Sequence, residues 1–279
     1  MEQVFLNGKL IPAAQAKIDI DDSSFLYGIG LFETMRAVGG RVFRLDDHLN
    51  RLTASASALS ILNTYTVGRI AEAIDQVLRA NGLSDARLRL TLTGGPLRAE
   101  EDRRSALLIT AAPFTAYPKE YFEKGVRVVI TDFRQNTRDP FVGHQTTCCG
   151  PRLAALRSAH EKLAAEAIWF TAENRLAEGC ISNLFLVREG TLLTPPLNTP
   201  VLPGIARRTV LEIAEQEKIK TEERPLDIND LLSANEVFLT NVIMTLLPIT
   251  AVEAHTVADG KPGPLTRRLA QKYEELLNR

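Results

Sequence analysis

One acidic residue in the C-terminal half of the sequence stands where a carboxylate could do chemistry. Residues 176–185 read Leu-Ala-Glu-Gly-Cys-Ile-Ser-Asn-Leu-Phe, which predicts that Glu178 and Gly179 lie in a turn between two apolar strands. A glutamate in a turn is usually a solvated charge. The Glu-Gly-x-x-Ser-Asn grouping ahead of a Leu-Phe-Leu strand is unusual, however, and favours a functional role for this carboxylate.

A second segment has the features of an anion-binding helix start. Residues 201–207 read Val-Leu-Pro-Gly-Ile-Ala-Arg, so Pro203-Gly204 ends a loop and a helix begins at Ile205. Free N–H groups at a helix N-terminus, with the helix dipole behind them, bind phosphate well. Pro-Gly before a helix is by itself a common turn. Arg51 lies in a His-Leu-Asn-Arg-Leu segment. A single helix arginine is usually a solvated charge, so it indicates a site only together with the other segments.

Hydrophobic periodicity predicts the elements that hold these segments. Two short runs around Asn7-Gly8 predict a β-hairpin. Apolar residues at helical spacing predict helices at residues 45–59, 67–80, 151–165, 205–217 and 266–277. Strands are predicted at residues 30–38, 87–93, 106–112, 127–131, 167–171, 183–188 and 237–240.

The order of these elements predicts a mixed α/β (α+β) fold with two domains. Residues 113–120 contain two prolines and few apolar residues, which makes them the best linker candidate. A small N-terminal α/β domain is therefore expected at residues 1–116 and a larger C-terminal domain at residues 117–279. Such an arrangement predicts a ligand cleft between the domains.

Composition excludes several classes of function. The net charge of −1 provides no basic field for nucleic acid or for an anionic membrane. The three cysteines are too few for a disulfide framework, and the vicinal pair Cys148-Cys149 has no second pair nearby, so no metal site is expected. Because neither a signal peptide nor a membrane span is evident, a cytoplasmic location is expected.

Taken together, the motifs resemble the class IV aminotransferase family, whose members are pyridoxal 5′-phosphate (PLP) enzymes of fold type IV. That family includes branched-chain and D-amino-acid aminotransferases and 4-amino-4-deoxychorismate lyase. The matching motifs occur in family order along nearly the whole chain, at residues 25–34, 48–52, 178–183, 202–207 and 236–248. The last of them resembles the lyase and general aminotransferase branch most. The resemblance implies a homodimer with a PLP cleft between two domains.

The resemblance also implies roles for individual residues. Glu178 would bind the pyridine nitrogen and keep it protonated, so that the ring accepts electrons from a substrate carbanion. Leu202 would pack on the ring, and Arg51 would pair with the phosphate. The helix start and a second turn would complete the phosphate site, through Gly204, Ile205, Ala206, Asn241 and Val242. The substrate, an amino acid or another anion, would face Tyr27, Arg36 and Arg89.

One position departs from the family pattern at the centre of the chemistry. Family members read His-Lys-Thr-Thr or similar where residues 144–147 read His-Gln-Thr-Thr, and the helix that follows fixes the register. Gln145 therefore occupies the position of the catalytic lysine. A lysine amine bonds to the cofactor and then moves a proton, whereas a glutamine amide is neither nucleophilic nor basic. PLP, or pyridoxamine 5′-phosphate (PMP), is thus expected to bind non-covalently.

Two origins of this departure stay open. Gln145 is either an engineered substitution that traps a complex or a feature of the gene itself. Further departures from the family pattern at Cys149 and Gly150-Pro151 favour the second origin.

Three functions also stay open, and with them the question of whether the chain is an enzyme. The first is an amino-acid transaminase or aminodeoxychorismate lyase scaffold that is impaired by Gln145. The second is a non-catalytic PLP- or PMP-binding pseudoenzyme. The third is a PLP-independent enzyme that anchors an anionic substrate through Arg36, Arg51 and Arg89, with His144 or a cysteine as acid or base.

Overall fold

Residues 2–97 and 105–279 are described by a computed structural model, in which the chain divides into two units. Unit 1 comprises Met1–Thr115 and His144–Cys149, and unit 2 comprises Ala116–Gly143 and Gly150–Arg279. The segment His144–Cys149 thus belongs to unit 1, although the residues on either side of it belong to unit 2. It does so through backbone pairing, because the Phe32 N–H donates to the Gln145 carbonyl at 2.8 Å.

Unit 1 combines an antiparallel sheet with helices that cover one of its faces. Its elements are β1 (Gln3–Leu6), β2 (Lys9–Pro12), α1 (Ser23–Tyr27), β3 (Gly30–Val38), β4 (Arg41–Val42), α2 (Leu45–Ala58), α3 (Val67–Ala80), β5 (Ala86–Thr93) and β6 (Leu107–Pro113). Within the described residues the strand order is β2-β1-β6-β5-β3-β4, and neighbouring strands are antiparallel. Helices α2 and α3 contribute Leu49, Leu52, Ile70 and Ile74 to the core that covers one sheet face.

Local sequence accounts for the first hairpin and for helix α3. Asn7 and Gly8 both have positive φ, of 49° and 89°, which is the conformation that a two-residue hairpin turn requires. Helix α3 begins where the Thr66 hydroxyl accepts the Arg69 N–H at 3.3 Å. Its residues at helical spacing are buried, which confirms the prediction for residues 67–80.

Unit 2 contains a larger sheet with both parallel and antiparallel strand pairs. Its elements are α4 (Lys119–Lys124), β7 (Val126–Gln135), α5 (Gly150–Glu161), β8 (Glu166–Thr171), β9 (Leu176–Gly179), β10 (Asn183–Arg188), β11 (Thr191–Thr194), α6 (Ile205–Gln216), β12 (Thr221–Glu223), α7 (Ile228–Leu232), β13 (Glu236–Asn241), β14 (Thr245–Val252), β15 (His255–Thr256) and α8 (Pro264–Leu277). Among the described residues the strand order is β12-β11-β10-β13-β14-β7-β8-β9, with β15 paired to β14. Strands β8, β10 and β13 are buried on both faces, so they read as continuous apolar runs.

Helix α5 is shorter than predicted. Periodicity suggested a helix over residues 151–165, but α5 ends at Glu161. Leu163 has a φ of 56° and is exposed, and the Ala164 N–H donates back to the Ala159 carbonyl at 2.9 Å. Residues 162–165 therefore connect α5 to β8, whereas the sequence pattern assigned them to the helix. No helix within residues 2–97 and 105–279 is long and apolar enough to cross a membrane.

Candidate functional site

Glu178 lies in strand β9, and its carboxylate is buried rather than solvated. The predicted turn starts only at Cys180, because β9 pairs with β8 as far as Gly179. Three groups donate to the carboxylate. The guanidinium of Arg152 reaches Oε1 at 2.6 Å, while the Leu202 N–H and the Asn183 amide reach Oε2 at 3.0 and 3.3 Å. The carboxylate therefore has a fixed orientation.

Arg152 projects from the first turn of α5 and has three acceptors. Besides Glu178, it donates to the Gly179 carbonyl at 2.9 Å and to the Gln135 side chain at 3.0 Å. Its guanidinium carbon lies 5.2 Å from the centre of the Trp169 ring. Residues that are distant in sequence thus fix the cation beside Glu178, and no local motif predicts this placement.

Glu166 holds the turn that follows Glu178. Its fully buried carboxylate accepts the Ile181 N–H at 2.8 Å and the Ser182 hydroxyl at 2.9 Å. Burial raises the pKa of Glu166 to about 7, against the opposing effect of these hydrogen bonds and of Arg152. The sequence motifs did not include Glu166. The signal that could have found it is a charged residue at the start of an otherwise apolar strand.

We expect Glu166→Gln to stabilise the protein at pH 8 by on the order of 1–3 kcal/mol. The folded-state pKa of about 7 lies above the ordinary value of 4.5, so the folded wild type binds an extra proton between these values. The contribution of Glu166 to stability is therefore fully present below pH 4.5 and is lost as the pH rises through 7. In denaturant unfolding at pH 5 to 8, the free energy of unfolding should fall with this additional slope in wild type but not in Glu166→Gln. Equal slopes for the two proteins would contradict the prediction.

Helix α6 begins at Ile205, as the sequence predicts. Gly204 is the N-cap residue with extended backbone, and no side chain caps the helix. Ile205 and Ala206 follow, both buried, and their N–H groups belong to the first turn, which lacks backbone acceptors within the helix. A Cβ on Gly204 would meet the Asn183 side-chain oxygen at 1.9 Å, so this position has no room for a side chain.

The side chains of Asn183 and Asn241 hydrogen-bond to backbone groups in other segments of unit 2. The Asn183 amide donates both to Glu178 and, at 2.9 Å, to the Leu202 carbonyl. The Asn241 amide donates to the Ile181 carbonyl at 3.1 Å, next to the turn after Glu178. The Asn241 oxygen closes its own turn by accepting two backbone N–H groups at 2.9 Å, and Val242 lies buried within that turn. Unit 2 thus brings its predicted site residues close together.

In unit 1, Arg51 forms a fork-to-fork ion pair that the sequence did not predict. Its Nε and Nη2 donate to the two oxygens of Glu33 at 2.8 and 2.5 Å. His48 Nδ1 lies 2.7 Å from the same carboxylate. Burial raises the pKa of Glu33, but the charge of Arg51 and the hydrogen bonds from His48 and Arg51 outweigh it, so the pKa is lowered overall. Arg51 is consequently held in one orientation.

Arg36 and Arg89 lie on the sheet face of unit 1 opposite the α2 and α3 core, as strand alternation requires. The Arg89 guanidinium carbon is 3.3 Å from the centre of the Phe32 ring, and that of Arg36 is 3.0 Å from the Phe114 ring. Arg36 also lies 3.5 Å from Asp85. Burial lowers the pKa of Arg89 to about 10, so this group stays charged at neutral pH.

Gln145 is fixed by its backbone but not by its side chain. Leu31 and Thr146 form a β-bridge, and the Thr147 hydroxyl donates to the Gly28 carbonyl at 2.7 Å, next to Tyr27. Tyr27 itself is exposed at the end of α1. The half-buried Gln145 carboxamide has no hydrogen-bond partner within residues 2–97 and 105–279. His144 Nδ1 lies 2.9 Å from Ser55 Oγ, and burial lowers the His144 pKa.

Comparison with known proteins places the chain in a family. Residues 30–252 match the family model described as Amino-transferase class IV. The chain is 29% identical to a putative branched-chain-amino-acid aminotransferase of Methanocaldococcus jannaschii, over 98% of this chain and 96% of that protein. It is also 29% identical to a D-alanine aminotransferase of Staphylococcus epidermidis, over 99% and 98% of the two chains. A solved branched-chain aminotransferase of Thermoproteus uzoniensis with norvaline has a TM-score of 0.90 and 31% identity, over 99% of this chain and 94% of that one. The mixed α/β chain described here therefore belongs to the class IV aminotransferase family.

Proposed function

We propose that this chain binds PLP or PMP non-covalently and has little transaminase or lyase activity. The observation that carries the proposal is the buried, fixed carboxylate of Glu178 beside the uncapped start of α6. The two features supply what the two polar ends of such a cofactor need, namely a partner for a ring nitrogen and donors for a phosphate. When bound, the cofactor would supply an electron-accepting ring.

The ring end fits the residues of unit 2. A carboxylate has about four acceptor positions, and Glu178 uses three of them. The remaining position and the adjacent Arg152 together offer a pyridine nitrogen either an acceptor or a donor. Leu202 is fixed by its N–H bond to Glu178, which supports the proposal that its side chain packs on the ring.

The phosphate end fits the start of α6. Ile205 and Ala206 present N–H groups at the positive end of a 12-residue helix. Alanine at position 206 lacks the hydroxyl that family members often place there, so this chain would have one phosphate contact fewer. The second turn, at Asn241 and Val242, is tied to the Glu178 turn by the Asn241 amide.

The limit on activity comes from Gln145. Its carboxamide is neither a nucleophile nor a base, so it can neither attach the cofactor nor move a substrate proton. The roles proposed for Tyr27, Arg36, Arg51 and Arg89 toward an amino-acid or other anionic substrate stay predictions. A homodimer in the cytoplasm is likewise part of the proposal.

A spectral titration with PMP tests the proposal directly. We expect saturable, reversible binding to wild type and, with PLP, no cofactor left on the chain after borohydride treatment and denaturation. Gly204→Ala should weaken PMP binding about tenfold or more, because the new Cβ displaces Asn183 from Leu202 and Glu178.

The matched control is Gly68→Ala on the exposed side of α3, where a Cβ meets open space. This variant should bind PMP as wild type does. Absence of any saturable binding of either cofactor would contradict the proposal and favour a PLP-independent enzyme that acts on an anionic substrate.

A further inference from the structure

The charge of the Glu178 carboxylate is already balanced by the positive charge of Arg152. Arg152 and Glu178 form an ion pair at 2.6 Å, and the glutamate is buried. The other groups that hydrogen-bond to the pair are uncharged, since they are the Asn183 and Gln135 amides and backbone groups of Leu202 and Gly179. The pair therefore carries no net charge.

At pH 6, Glu166 and Cys180 add little negative charge beside the ion pair. Burial raises the pKa of the neighbouring Glu166 to about 7, so this carboxyl is largely protonated at pH 6. Burial also raises the pKa of the Cys180 thiol to about 11. A pyridinium placed here would put a second cation against one carboxylate in a low-dielectric site, and like charges this close disfavour ionisation.

Arg152 also has N–H donors that an uncharged ring nitrogen could accept. A guanidinium has five N–H donors, and Arg152 uses three of them. Within the described part of the chain, the Nε–H and one Nη1–H have no acceptor. An unprotonated pyridine nitrogen is an acceptor for such a donor, whereas a pyridinium is not.

We propose that Arg152, by neutralising Glu178, keeps the ring nitrogen of a bound PLP or PMP unprotonated. This inference rests on the proposed function and departs from the protonated state that the family resemblance implies. An unprotonated ring withdraws electrons less strongly from a carbanion. Arg152 and Gln145 would then weaken two separate parts of the family chemistry, the electron acceptor and the base, while leaving cofactor binding intact.

The test is the nitrogen-15 resonance of PMP labelled at the ring nitrogen and bound to the full chain at pH 6. Saturation is first established by titration. Wild type should show the resonance of a neutral pyridine, and Arg152→Gln should move it to the pyridinium position. Arg152→Lys, which keeps the positive charge, should keep the neutral position. The control Arg157→Gln alters an exposed arginine on the same helix and should match wild type.

The wild-type spectrum alone can overturn the inference, even if a variant fails to fold. A pyridinium resonance in wild type would show that the ion pair does not control the ring nitrogen. A neutral resonance that persists in folded Arg152→Gln would show that Arg152 is not the cause. Absence of saturable PMP binding in the preceding titration would instead overturn the proposed function, and the inference with it.

Discussion

A lysine restored at position 145 is expected to attach the cofactor to the chain. Gln145→Lys, incubated with PLP and treated with borohydride, should gain the mass of one reduced cofactor per chain, whereas wild type should gain none. The backbone at this position is fixed by pairing with β3, and the Gln145 side chain has no partner in the described residues. The substitution therefore breaks no hydrogen bond of the described side chains.

Gln145→Arg is the matched control for this experiment. It adds a positive charge at the same position but no nucleophilic amine, so it should stay free of covalent cofactor. Labelling of Gln145→Lys on a different lysine, or no labelling although PLP binds, would contradict the assignment of position 145 to the catalytic lysine. Peptide mapping after reduction distinguishes these outcomes.

The same substitution should restore part of the chemistry. A positioned general base contributes roughly 10²–10⁴ in rate, so Gln145→Lys should raise the half-reaction with an amino acid by about 10²-fold or more. Addition of Arg152→Gln should raise it further, since the ring nitrogen could then carry a proton. The rate is measured by stopped-flow absorbance with a panel of L- and D-amino acids.

Loss of the Glu33 carboxylate is expected to have the largest effect on stability. Glu33→Ala leaves Arg51 and His48 without their shared buried partner. Removal of one member of a buried ion pair costs about 3–5 kcal/mol, because the remaining charge lies in a medium that solvates it poorly. Denaturant unfolding at pH 7 should show a loss of this size, and a loss below about 1 kcal/mol would contradict the prediction.

The control for Glu33→Ala is a partly exposed ion pair in the same unit. Asp85→Asn removes the partner of Arg36 at 3.5 Å, where Asp85 is 55% exposed, so a change below about 1 kcal/mol is expected. The pH dependence of stability further distinguishes Glu33 from Asp85. Because the folded-state pKa of Glu33 is lowered, its contribution is present above the ordinary value of 4.5 and is lost as the pH falls through the folded-state pKa.

Much of the secondary structure followed from local sequence alone. Helix α3 and strands β3 and β10 have the predicted bounds, and the Asn7-Gly8 hairpin forms as expected. Such elements depend on periodicity, caps and turn residues that lie within a few positions of each other. Local signals failed at the end of α5, where a left-handed Leu163 stops the helix in a stretch that still has helical composition.

The family also followed from the sequence, and the match to the family model confirms it. Several motifs in order are specific because each one fixes a local backbone shape and a side-chain type. The assignment of Gln145 to the lysine position rests on the register that its neighbours set, and it stays a prediction. What the sequence could not show was the surroundings of these motifs.

Only the tertiary structure decided which charged group lies beside Glu178. The sequence placed this glutamate in a turn, but the fold buries it in β9 against an arginine 26 positions earlier in the chain. Glu33 and Arg51, 18 positions apart, meet in the same manner. Contacts between distant positions depend on strand register and helix placement, which no local motif encodes. The sequence thus determined which candidate groups this protein has for a cofactor, and the fold determined that Glu178 among them is paired with Arg152.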